Sequence, residues 1–387
     1  MNEDKSTRYH RRRRRADAAG TALVGVFLLG LVVSGASELF RTAAEWLASW
    51  LPWPLPPSAA VALYATGLAV TIHGLELPFA WYQGFWLERR YGLSTQILPH
   101  WLADHVKAAV ASVGVMVAGL SAVYLSMRWA PQQWWLVSAA AFVVAMVGLA
   151  RLAPVLLLPI FYRVRPLRQP ELSARLVRLA ERAGAPVIGA YEWALSNHTR
   201  KANAALAGIG RSRRILISDT MLDGYSEDEI EVILAHELSH HVHHDLWRGM
   251  AMQAATIVAG FYLARTVLTR SVPWLGLSGV ADVAGAPVLL LVAGVFSFAM
   301  LPLGNAMSRA QERRADRFAL RLTGNPAAFV TAMRRLSQQN LAEERPSRLA
   351  RWLFYSHPPM RERIAAAQAW SDVATPLHPH GILPAKE

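Results

Sequence analysis

Residues 235–245 read AHELSHHVHHD, placing five histidines within nine positions beside Glu237 and Asp245. His236 and His240 stand four apart. On a helix, that spacing puts both imidazoles on one face about a turn apart, as two nitrogens bound to one metal ion require. Glu237 follows the first histidine and is rotated off that face, so its carboxylate reaches a metal-held water rather than the metal. This H-E-x-x-H spacing suits zinc with an adjacent general base. His240 and His244 repeat the spacing, but His241 follows His240, so that pair has no base. His241, His243 and His244 read as surface or interfacial residues near the helix end, where imidazolium suits the dipole. The spacing also arises by accident, so other residues must decide.

The first requirement is the helix itself. In SEDEIEVILAHELSHHVHH, Ser226 caps and Glu229 occupies the third helical position, a capping box, while Ile230, Ile233 and Leu234 keep helical spacing. The second is a third protein ligand, since catalytic zinc takes three and leaves a fourth position to water. In NAMSRAQERRADRFALRL, Glu312 and Asp316 are again four apart. Glu312 serves as the third ligand, and Asp316 accepts a hydrogen bond from a ligand imidazole and fixes its tautomer. The plain alternative for Glu312 is a solvated ion pair with Arg309 or Arg313. Between the histidines and Glu312 the chain makes one transmembrane hairpin, and an even number of crossings returns Glu312 to the side of His240.

That hairpin is part of a larger pattern. The 387 residues are 53% hydrophobic and 17% charged, with mean hydropathy +0.22. Apolar runs at about residues 18–36, 58–80, 108–127, 134–158, 250–268 and 286–304 are long enough to cross a bilayer as helices. RYHRRRRRAD precedes the first run, which is longer than a signal-peptide core and reads as an uncleaved anchor. Loops after spans two, four and six are basic, and those after one, three and five are charge-poor. This places both termini and the histidine cluster on the cytoplasmic side. The net charge of +13 follows from that rule rather than from a nucleic-acid partner. Cysteine is absent, which excludes disulfides and thiolate metal sites.

The expected fold class is a predominantly α, polytopic membrane protein with a small α+β zinc-peptidase domain carrying a short sheet. Its expected divisions are a basic arm (1–17), a four-span region (18–162) and a first catalytic segment (163–248). A transmembrane hairpin (249–306), a second catalytic segment (307–372) and a disordered tail (373–387) follow. The first catalytic segment opens with a helix, ELSARLVRLAERAG, and continues with strand-like VIGAYEWAL and RRILISDTML. His73 and Glu76 in span two read equally as functional intramembrane groups or as residues reaching interfacial water.

Six ordered stretches resemble one family. LERRYGLSTQ with WLADHVK, LLPIFYRVRPL, KANAALAGIGRSRRILISDTML, AHELSHHVHHD, SRAQERRADRFAL and SHPPMRERI are similar to segments of the integral-membrane zinc endopeptidases of the CAAX prenyl protease type. That peptidase group also holds bacterial stress-response membrane proteases. The resemblance implies one zinc ion per chain, held by His236, His240 and Glu312, with Glu237 as general base and then acid. It implies that Asn203 and His357 lie near the scissile carbonyl as transition-state donors, and that Arg363 is a structural partner in the site. The stretch around Asn203, Ala204 and Ala205 would pair with an extended substrate as an added strand. The implied partners are the lipid bilayer and a peptide or protein substrate, lipidated, misfolded or membrane-bound. Eukaryotic enzymes of this type resemble seven-helix enclosures, whereas six spans are counted here. The Arg-, Ala- and Trp-rich composition suggests a bacterial inner-membrane protein. A metal-handling transporter and a catalytically inactive scaffold are the competing readings; few, unrepeated intramembrane polar residues speak against the first, and the intact Glu237 against the second. Oligomeric state has no signature in the sequence.

Overall fold

The computed structural model describes residues 4–50, 58–156, 162–208 and 213–371, so the tail expected over 373–387 lies outside the described residues. Six of its helices are long and apolar enough to cross a membrane.

The first, α1 (Lys5–Val33), runs unbroken from the basic arm into the first span. The arm is thus helical, and Tyr9 within it is 1% exposed. Gly35, with φ +72°, turns the chain into α2 (Ala36–Ser49), an amphipathic helix where a loop is expected. α3 (Ser58–Trp81) carries Pro78 and continues through a π-helical turn, Tyr82–Leu87, to Arg90. Such turns are a recognised way to absorb a break in the α-helical ladder. α4 (Leu98–Trp129) and α5 (Trp134–Leu156) complete the N-terminal group. Tyr64, Leu68, Tyr124, Met127 and Trp134 form its core, joined by Leu268 from the later hairpin.

The α+β unit begins with β1 (Val164–Pro166) and α6 (Pro170–Arg182), followed by β2 (Ala190–Trp193), β3 (Ala204–Ala207) and β4 (Arg214–Ser218). The sheet order is β1-β2-β4-β3, with β2 and β4 parallel and the other pairs antiparallel. β3 is therefore an edge strand. A short helix, α7 (Asp219–Gly224), leads to the histidine helix α8 (Glu227–Val242). The expected capping box is present: Glu229 N–H donates to Ser226 Oγ, and Ser226 N–H donates to Glu229 Oε2 at 2.9 Å.

Leu172, Leu176 and Leu179 project from one stripe of α6 onto Ile215 and Ile217 of β4 and Ile230, Leu234 and Leu238 of α8. Each fully buried side chain of this size contributes about 1.5–3 kcal/mol by leaving water. This core anchors α8 against the sheet and leaves its histidine face toward the next elements.

α9 (Asp245–Ser271) and α10 (Ala286–Thr323) form the hairpin. The sequence suggests a span ending near 304 and a separate polar helix after it. Instead, α10 is one helix of 38 residues that passes Pro302 and carries Glu312 and Asp316. The stretch from Ser308 to Leu322 holds no glycine or proline and is rich in Ala, Arg, Glu and Leu, so nothing interrupts it. α11 (Pro326–Gln339), α12 (Arg348–Phe354) and α13 (Met360–Ser371) close over it.

Candidate metal centre

α8 and α10 pack along one another, and their facing side chains bring three donors together. His236 Nε2 and His240 Nε2 are 3.3 Å apart. His236 Nε2 is 3.2 Å from Glu312 Oε2, and His240 Nε2 is 3.4 Å from Glu312 Oε1. Tetrahedral zinc with bonds of about 2.0–2.1 Å separates its ligand atoms by about 3.3–3.4 Å, so each imidazole stands at a compatible distance from the other and from one oxygen of the Glu312 carboxylate. Glu312 Oε2 is buried, with His236 Nε2 at 3.2 Å and His357 Nδ1 at 2.8 Å beside it. Among the described residues, His236, His240 and Glu312 alone form a group able to hold a metal ion.

The supports of the donors are also present. His236 Nδ1 lies 2.9 Å from Asp316 Oδ1. Arg363 donates to both oxygens of that carboxylate, from Nε at 2.9 Å and Nη2 at 2.5 Å. His236, Glu312, Asp316 and Arg363 are all buried. Burial opposes a charged His236, but the carboxylates of Asp316 and Glu312 outweigh it and raise the imidazole to about 9. His240 is raised for the same reasons, burial being outweighed chiefly by Glu312. This pocket attracts positive charge.

Sequence reasoning missed the partner of the second histidine. His240 Nδ1 stands 3.0 Å from Asp245 Oδ2, and Arg314 of α10 donates to the other oxygen of Asp245. His244, in the left-handed conformation at φ 56°, reverses the chain and swings Asp245 back beneath His240. An acid directly after a histidine-rich helix end was the available signal. His243 is half-buried rather than superficial, with its ring edge-on to Phe318 and Nδ1–H donating to Ser239 O at 2.9 Å.

The remaining predicted residues are distributed as follows. Half-buried Glu237 sits on α8 between His236 and His240. His357 Nδ1 approaches Glu312 Oε2 at 2.8 Å from a largely exposed ring. Asn203 is exposed at the start of β3, its backbone N–H donating to Ser218 Oγ and its carbonyl accepting from Ser218 N–H. β3, which includes Ala204 and Ala205, packs against α8. His73 and Glu76 are half-buried on α3 and take no part in the donor group.

Six bilayer-length helices, one of which brings Glu312 to His236 and His240 of the short helix α8, together with an acid directly after the first histidine, point to a membrane-embedded metalloprotease of the zinc-peptidase type. The model of peptidase family M48 matches residues 166–371, and that of the CAAX prenyl protease N-terminal region, five membrane helices, matches residues 2–163. The chain belongs to peptidase family M48. It is 32% identical over 344 residues to the uncharacterized metalloprotease YhfN of Bacillus subtilis, covering 87% of this chain and 79% of that one. It is 29% identical over 307 residues to a CAAX prenyl protease 1 homolog of Arabidopsis thaliana, covering 75% and 69%. The crystal structure of Ste24p from S. mikatae shares the fold, with TM-score 0.79 and 22% identity over 94% of this chain and 89% of that one. The protein is an integral-membrane metalloprotease.

Proposed function

We propose that the enzyme hydrolyses peptide bonds in membrane-associated substrates, lipidated or misfolded, with one zinc ion per chain held by His236, His240 and Glu312. The observation that carries this reading is that the two imidazole nitrogens stand 3.3 Å apart and each lies 3.2–3.4 Å from one oxygen of the Glu312 carboxylate, on two packed helices. An all-nitrogen and oxygen donor set of this size suits zinc. Bound there, zinc would supply Lewis-acid polarisation of the scissile carbonyl and acidify a water.

The chain's own residues supply the rest. Glu237 takes the proton of the attacking water on its carboxylate and delivers it to the leaving amine nitrogen. Asn203 and His357 donate to the oxygen on which negative charge develops, as preorganised polar groups do in acyl-transfer sites. Asp316 and Asp245 hold the Nδ1–H of His236 and His240, which turns Nε2 of each toward the ion. Arg363 keeps Asp316 ionised and fixed. The free edge of β3 binds the substrate in extended form.

We place catalysis in segments 163–248 and 307–372, joined by the hairpin 249–306. We assign the enzyme to a bacterial inner membrane with both termini and the site toward the cytoplasm, on the strength of its basic loops. The name of the plant relative suggests a prenylated substrate class for that protein; here the lipid is left open and the peptide bond is the target.

The test is Glu237→Gln. It should keep stoichiometric metal and lower peptide hydrolysis at least about 100-fold. Hydrolysis at the wild-type rate by the metal-loaded variant would end the proposal.

A further inference from the structure

The basic end of α1 is tied to the segment that leads to His357. Arg14 Nη1 donates to Glu343 Oε2 at 2.6 Å and to the Tyr355 hydroxyl at 2.7 Å, across more than 300 residues of chain. The Tyr355 hydroxyl in turn donates to Glu343, whose side chain is buried. One turn earlier, His10 Nε2 stands 2.8 Å from the Leu341 carbonyl. A buried carboxylate that draws its cation from a distant helix costs desolvation and calls for an explanation other than stability.

The explanation lies two residues past Tyr355, at His357. Its side chain is 61% exposed, so packing does not orient it. Beyond its contact with Glu312 at 2.8 Å, what orients it is the backbone on either side. Before it, Arg309 donates to the Tyr355 carbonyl at 2.7 Å and the Arg351 carbonyl at 3.1 Å, and Asn305 donates to the Leu353 carbonyl at 2.6 Å. Arg309 and Asn305 belong to α10, the helix of Glu312. After it, Pro358 and Pro359 restrict the chain. The Tyr355 side chain is the remaining free lever, and Arg14 with Glu343 holds it.

We propose that Arg14, acting through Glu343 and Tyr355, is a positioning residue that sets His357 against the metal centre, so that the N-terminal helix is part of the active site's construction. The kinetic half of this proposal rests on the protease reading above; the structural half does not. The cluster has no contact with the reacting atoms. It restrains the end of α12 and the turn that follows it, residues 351–357, and so limits the orientations His357 samples.

Two measurements on the full-length, metal-loaded enzyme test it. Hydrogen exchange at the amides of residues 353–357 should quicken about tenfold in Arg14→Ala and in Tyr355→Phe, the latter removing only a hydroxyl. Unchanged exchange in both variants overturns the proposal, whether or not any peptide is cut. In hydrolysis of a reporter peptide, Arg14→Ala should lower kcat about tenfold with KM and metal content little changed, and Arg14→Lys should restore much of the loss. In a His357→Ala background, Arg14→Ala should cost less than about twofold more, because residues acting through one another are not additive. Fully additive losses overturn the proposal. If the wild type cuts no peptide, the protease reading falls and the exchange result alone decides this one.

Discussion

His236 Nδ1 faces Asp316 Oδ1 at 2.9 Å, from a helix that precedes the membrane hairpin to one that emerges from it. That contact holds a proton on Nδ1, so Nε2, which faces Glu312 and His240, is the nitrogen that would meet a metal ion. Asp316→Asn removes the charge and leaves an amide able to present its NH2 instead. Metal affinity should fall about 10–100-fold, as with other partners of ligand imidazoles. Titration with a competing chelator measures this. Unchanged affinity would remove Asp316 from the site's support.

Arg363 and Asp316 form a buried pair, each about 7% exposed in its side chain. Arg363→Ala strands the carboxylate without its cation. Stability should drop by about 3–5 kcal/mol, the usual cost of breaking rather than replacing a buried pair. Unfolding of the purified enzyme in detergent, read for the catalytic unit, gives the value. A loss under about 1 kcal/mol would mean that water reaches Asp316 freely.

The edge strand makes a prediction about substrates. The Ser218 N–H donates to the Asn203 carbonyl, and Ala205 faces Leu216 in the same register. Antiparallel pairs alternate, so the backbone groups of Ala204 and Leu206 point to the free edge. An extended peptide docked there should bond through every second residue. N-methylation at one alternate set of positions should raise KM about 3–10-fold per lost bond, and at the other set should not. A KM series without that alternation would remove β3 as the docking edge.

Acid should loosen the cluster at the base of α1. Burial alone raises the Glu343 carboxyl, but the hydrogen bonds from Arg14 and Tyr355 outweigh it and hold the group below its ordinary 4.5. A carboxyl depressed in the folded state lends stability that is complete above about 4.5 and is lost as pH falls through the lower folded value. Thermal unfolding of the wild type should therefore weaken more between pH 6 and pH 3.5 than that of Glu343→Gln. Parallel curves for the two proteins would refute the assignment.

The donor set was readable in advance because each part obeys a local rule. His236 and His240 share a helix face by spacing, Ser226 and Glu229 mark where that helix starts, and the count of crossings returns Glu312 to the same side. Asp245 escaped because its approach to His240 depends on a left-handed turn at a non-glycine residue, which no periodicity announces. β3 is expected as a strand only through the family resemblance, because Ala204–Ala207 is short and alanine-rich and only pairing with β4 makes it extended. The Arg14–Glu343 contact joins residues 329 positions apart, and nothing local specifies such a pair.

At about 1.5 Å per residue, the 38 residues of α10 form a rod of about 57 Å, with the hairpin turn at one end and Glu312 about two-thirds of the way along from it. Excising the hydrocarbon-facing stretch would remove the strut that carries the carboxylate donor. Residues 163–371 therefore cannot yield a water-soluble core by simple trimming, and whatever is cut must come to the lipid surface where this rod is rooted.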